Sequence, residues 1–161
     1  MFRRFAWFIY KKQTFKKKTD MEKYLSKSVD FVNPPSLVEP TFFSHSVKIT
    51  AGTSLLFIGG QNGVDENGGM AGAGDVKKQG EQIIKNLRAI LGASGIGFGE
   101  IIKWNVYIKD GYDPTGVYEL FAKELANREA QPLITMIYVP RLALPDALME
   151  VEAVAYLPEE K

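Results

Sequence analysis

Glu150 and Glu152, two carboxylates two residues apart in "DALMEVEAVAYL", are the side chains of this sequence best placed to do chemistry. Val151, Ala153 and Ala155 alternate with Glu150, Glu152 and Val154, which is the period of a β-strand. Side chains two apart on a strand share a face, so both carboxylates point the same way. A carboxylate held there can orient a water or move a proton as general acid/base. It can equally be half of a structural ion pair, with Lys103 of "EIIKWNVYIKD" as the other half. Both roles stay open for Glu150; Glu152 reads as structural.

Other chemistries find little material. The chain has no cysteine, which excludes disulfides and thiolate metal sites. A single histidine, His45, leaves a His-based metal centre or a Ser-His-Asp triad without enough members, and it reads as an inert surface or turn residue. No metal site is therefore expected. "GGMAGAG" lacks the Gly-Lys-Ser/Thr of a phosphate loop. The net charge of +1 hides an asymmetry: residues 1–20 carry seven Lys/Arg and one acid, leaving 13 basic against 18 acidic side chains, a body of net charge −5. An acidic body argues against nucleic-acid binding. The tail "MFRRFAWFIYKKQTFKKK" mixes aromatics with cations, a composition also found in membrane-surface or nucleic-acid arms. It is read instead as an extension outside the fold, or as residues ahead of a true start at Met21. Its apolar run is too short for a signal peptide or a membrane span, so no stable membrane insertion is expected, and a cytoplasmic location is.

Residues 1–42 are expected to form a basic and then Pro-containing extension, with the compact domain at 43–161. "HSVKI" and "LLFIGG" flank the turn "TAGTS" and predict a hairpin. Asp75 caps a helix whose Val76, Gly80, Ile83, Ile84, Leu87 and Leu91 recur at helical spacing to about Ala93. "EIIKWNVYIKD" alternates, with Ile102, Trp104, Val106 and Ile108 on one side and Lys103, Asn105, Tyr107 and Lys109 on the other. "DPTGVYELFAKELANRE" predicts a second helix, with Asp113 as cap and Val117, Leu120, Phe121 and Leu125 as its buried stripe. "PLITMIYVP" is a strand by its β-branched content. The expected fold class is α+β, in the order β-β-α-β-α-β-β. Two helices cover one face of such a sheet. The other face is expected to carry Lys103, Asn105, Tyr107, Ile134, Met136, Tyr138, Glu150 and Glu152. That set is too apolar for bulk water and too polar for a monomer core, so it predicts an interface between copies of the chain.

Taken together, "LLFIGGQNGVD", "NLRAIL", "IIKWNVYIKD", "VYELFAKEL" and "LPDALMEVEAVA" resemble the Rid (reactive intermediate deaminase) family, also called L-PSP endoribonuclease-like or translation-inhibitor-like proteins. The resemblance runs from about Phe43 to Leu157. It implies a chorismate-mutase-like α+β fold, a mixed sheet with two helices on one face, and a homotrimer with a central β-barrel. It also implies ligand clefts between subunits that hydrolyse reactive enamines and imines to ketoacids and ammonia without cofactor or metal.

Carried over residue by residue, the resemblance places Gly60 and Gln61 at the family's Ser-Gly-Gln motif and Glu150 at its site glutamate. Phe43 stands where the family has a tyrosine, Tyr118 where it has a cleft asparagine, and Met136 at a cysteine-like position. Ile134 stands where an arginine grips the substrate carboxylate, and no basic residue lies between Arg128 and Arg141. An arginine binds a carboxylate through paired charge-assisted hydrogen bonds; isoleucine offers none. The loss predicts at least ~100-fold weaker binding of amino-acid-derived imines. The sequence thus resembles a branch lacking the substrate-binding arginine. Two readings remain: an enamine/imine deaminase-like hydrolase with Glu150 as catalytic residue, or a non-catalytic trimer whose Phe43, Gly60, Gln61, Tyr118, Ile134 and Met136 capture a small molecule. Lys103, Asn105, Tyr107 and Glu152 are expected at the interface. An endoribonuclease lacks an ordinary acid/base pair here and is disfavoured.

Overall fold

The computed structural model describes residues 29–41, 43–126 and 128–158. The basic tail at 1–20 lies outside the described residues. β1 (Val29–Val32) and β2 (Ser46–Ile49) pair antiparallel as a two-stranded sheet. β3 (Ser54–Asn62), β4 (Ile101–Lys109), β5 (Leu133–Val139) and β6 (Met149–Leu157) form a mixed sheet in the order β3-β6-β4-β5. Only β4 and β5 run parallel, joined through α2 (Thr115–Leu125); α1 (Val76–Ala93) follows β3. The predicted hairpin is corrected: β2 pairs with β1, inside the predicted extension, and β3 pairs with β6. Alternation identifies a strand, but a partner about ninety residues away leaves no local pattern.

α1 forms for the reasons its spacing gives. Ile83, Ile84, Leu87 and Leu91 are buried along one stripe, and the Asp75 carboxylate accepts from the Lys78 N–H at 3.1 Å as N-cap. At its end Gly95 takes φ +72°, and the Ile96 N–H returns to the Leu91 carbonyl, a left-handed closure that favours glycine. Asp113, the expected cap of α2, accepts from the hydroxyl and the backbone N–H of Thr115, at 2.6 and 2.9 Å, which holds its carboxyl below the usual carboxylate range; the N-cap position itself falls one residue later, on Pro114, which has no side-chain hydrogen bond to give. The two helices meet where Gly80 leaves room for Val117: a Cβ there would stand 3.0 Å from the valine Cγ1.

The core lies between the helices and one sheet face. It is built from Ile58, Ile83, Leu87, Leu91, Trp104, Val106, Ile108, Met149, Val151 and Ala153. β4 and β6 alternate as expected: Trp104, Val106, Ile108, Val151 and Ala153 are buried against the helices, and Asn105, Tyr107, Glu150 and Glu152 face the other way. β5 is phased opposite to expectation. Its register sets Ile134 beside Trp104 and Met136 beside Val106, so Ile134, Met136 and Tyr138 are on the helix side. Leu133, Thr135, Ile137 and Val139 are on the helix-free side instead. "LITMIYV" is apolar almost throughout, as parallel strands often are, so nothing in its sequence says which residues face which way.

Candidate functional site

On the helix-free face, the strands bring Glu150, Glu152, Asn105 and Tyr107 together. Glu150 is paired across the sheet with Tyr107 and with Asn62, and Glu152 with Asn105. Glu152 accepts from the Tyr107 hydroxyl at 2.8 Å and from the Asn105 amide at 3.2 Å. That hydrogen bond, then burial, then the charges of Glu152 and Glu150 hold the Tyr107 phenol above its ordinary pKa. These two hydrogen bonds hold the Glu152 carboxylate in place.

Glu150 is placed differently. β3 carries a bulge between Ile58 and Gln61, where two residues of β3, Gly59 and Gly60, stand opposite one of β6, Glu152. Gly60 lies in it, and a Cβ on Gly60 would overlap the Glu150 carboxylate. The glycine makes room for the acid. The Gln61 amide turns back to the Gly59 carbonyl at 3.1 Å. The Lys103–Glu150 pair expected from the sequence does not form within the chain. Lys103 is paired with Val154, four residues or about 13 Å along β6 from Glu150. Ion pairs form elsewhere, Lys78–Asp75 and Arg88–Glu124 among them.

A cavity of about 720 Å³ opens on the opposite side of the sheet, between α2 and strands β4 and β5. Trp104, Val106, Ile108 and Met149 form its floor, Val117, Phe121 and Leu125 its roof, and Ile134, Met136, Tyr118 and Phe43 its mouth. The Tyr118 hydroxyl donates to the Met136 sulfur at 3.0 Å. Burial, then Tyr138, then Asp113 raise the Tyr118 pKa, in keeping with poorly solvated surroundings. Phe43 is held at the rim by Ser44, whose N–H and hydroxyl donate to the Pro132 and Gln131 carbonyls at 3.1 and 2.6 Å. His45 stands edge-on to Phe43, with its Nε2 2.8 Å from the Val38 carbonyl oxygen.

Of the residues singled out by sequence, Glu150 and Gly60 meet on one face, and Phe43, Tyr118, Ile134 and Met136 meet on the other. Within one chain the two groups do not meet. Sequence reasoning missed Trp104, Phe121 and Met149 as cavity walls, since core periodicity is their whole signal. It also missed Gln79, fully buried, whose amide bonds the Asp146 carbonyl and the Leu148 N–H, both at 2.8 Å, and so ties α1 to the start of β6. Among the described residues, no three His, Asp or Glu are grouped to hold a metal ion.

Comparison with known proteins gives this arrangement its relatives. The Endoribonuclease L-PSP family model matches residues 37–157. A RutC family protein of Pyrococcus horikoshii is 37% identical over 124 residues, 77% of this chain and 92% of the relative. The 2-iminobutanoate/2-iminopropanoate deaminase of Salmonella typhimurium is 33% identical over 134 residues, 81% of this chain and 98% of the enzyme. The crystal structure of a Rid-family protein of unknown function from Yersinia pestis superposes with a TM-score of 0.69 at 28% identity, covering 81% of this chain and all of that one. With the family pattern running from before Phe43 to the last residue of β6, this chain belongs to the Rid/L-PSP family.

Proposed function

We propose that the protein is a deaminase-like hydrolase of small enamines or imines, working in clefts completed between the subunits of a homotrimer. The observation that carries this reading is the Glu150 carboxylate lying over Gly60 on the helix-free face, at the position that the resemblance gives to the family's site glutamate. Water adds to the C=N carbon, the carbon–nitrogen bond breaks, and both protons of the water end on nitrogen, so that imine and water become a carbonyl compound and ammonia. Glu150 orients that water and relays its protons to the nitrogen.

The trimer rests on the helix-free face. Phe57 is 74% exposed there and Ile137 45%, around the Glu152–Tyr107–Asn105 cluster. A sheet face of this kind needs a cover, and a second and third copy of the same face supply it as a barrel. The cavity mouth lies at β5, an edge strand, where a neighbouring subunit would bring its own Glu150 within reach. A non-catalytic binding trimer is the second reading, favoured by the size and apolar walls of the cavity. Glu150→Gln separates the two. The hydrolase predicts at least a ~100-fold fall in ammonia release with ligand affinity nearly unchanged. Unchanged ammonia release in the variant would remove Glu150 from the chemistry.

A further inference from the structure

We infer that the pocket takes carboxylate-free imines, the imines of aldehydes and simple ketones, in preference to 2-imino acids. The chemistry of this inference rests on the hydrolase reading above; its selectivity rests on the cavity alone. Among the described residues, those lining the cavity include no Lys, Arg or His, and Glu119 is their one charged side chain. A substrate carboxylate entering there meets that anion and no cation among them. Ile134, 38% exposed at the mouth, offers such a carboxylate no hydrogen bond.

The arginine preceding β5 cannot substitute. Arg128 is tied to the Phe98 and Ala130 carbonyls at 2.6 and 2.9 Å and lies over the Phe31 ring, 5.9 Å from its centroid. It is not among the residues lining the cavity. The size of the space points the same way. About 720 Å³ walled by the rings of Trp104, Phe121, Phe43 and Tyr118 suits an aromatic or branched molecule, and a three-carbon imino acid would leave most of it empty. Tyr118 and Gln131 are among the polar groups at the rim for an uncharged ligand.

Such an imine forms when a primary amine loses two electrons and two protons, R–CH2–NH2 becoming R–CH=NH. An amine oxidation, with the electrons passed to that enzyme's own acceptor, is thus one class of reaction that can supply it. The step here adds water and releases R–CHO and NH3, with no redox change.

The test pairs binding with turnover on the full-length protein. Calorimetry with benzamide and benzoate reads selectivity without chemistry. Ammonia release is then followed from benzaldimine, generated from benzylamine by an amine oxidase, and from 2-iminopropanoate, generated from alanine by an amino-acid oxidase. Benzamide is expected to bind at least ~100-fold tighter than benzoate, and benzaldimine to be the better substrate. Ile134→Arg should reverse the binding preference. Benzoate binding as well as benzamide, binding of neither, or faster hydrolysis of 2-iminopropanoate overturns the inference. Selective benzamide binding with hydrolysis of neither imine upholds the pocket's selectivity and overturns the hydrolase reading.

Discussion

Gly60 and Glu150 share one small volume, and at the residue scale the proposed chemistry turns on it. A methyl group on Gly60 would overlap the Glu150 carboxylate, which is the far end of a flexible side chain and can swing away. Gly60→Ala should therefore cost little stability, within about 1 kcal/mol, yet displace the acid. Ammonia release is expected to fall at least ~10-fold, one step of about 1.4 kcal/mol in the barrier, while the melting temperature stays close to wild type. Wild-type turnover in Gly60→Ala would show that the position of Glu150 does not matter. Both residues were found by their types and order, through the resemblance. The physical reason for the glycine was not legible, because it depends on a bulge that no local pattern announces.

Among the elements, β6 carries both carboxylates, and its placement depends on a buried polar staple from α1. The Gln79 side chain donates to the Asp146 carbonyl and accepts from the Leu148 N–H just before β6 begins. Gln79→Leu leaves the Leu148 N–H buried and unpaired and takes the partner from the Asp146 carbonyl at the edge of the core. Urea unfolding should show a loss of about 1–3 kcal/mol, the cost of one buried unpaired group; a loss below about 0.5 kcal/mol, the scale of a surface substitution, would mean that the staple does not hold the loop. The elements differ in how far sequence exposes them. α1 was legible to its last residue, since Ile83, Ile84, Leu87 and Leu91 keep helical spacing and Asp75 caps it. β4 and β6 were legible by alternation. β5 is legible as a strand but not in its phase, because "LITMIYV" is apolar almost throughout and Thr135 alone does not mark which side faces the helices. β2 was found but given the wrong neighbour, because the nearby turn outweighed a pairing with Val29–Val32 in a stretch read as extension.

At the scale of the whole molecule, the two halves of the candidate site lie on opposite sides of one sheet. Glu150 is on the side without helices, and the cavity is on the side with them. The sequence made the uncovered face legible through Lys103, Asn105, Tyr107, Glu150 and Glu152, but not the split, which follows from the phase of β5. Joining the halves requires another copy of the chain. The exposed Phe57 and Ile137 give that copy an apolar surface to cover, around the ring of Glu152, Tyr107 and Asn105. Sedimentation equilibrium of the full-length protein at micromolar concentration tests this most directly. Three copies of the 18.0 kDa chain in one stable particle is the predicted result. A particle of one chain would leave Glu150 and the cavity permanently apart, and would contradict the account.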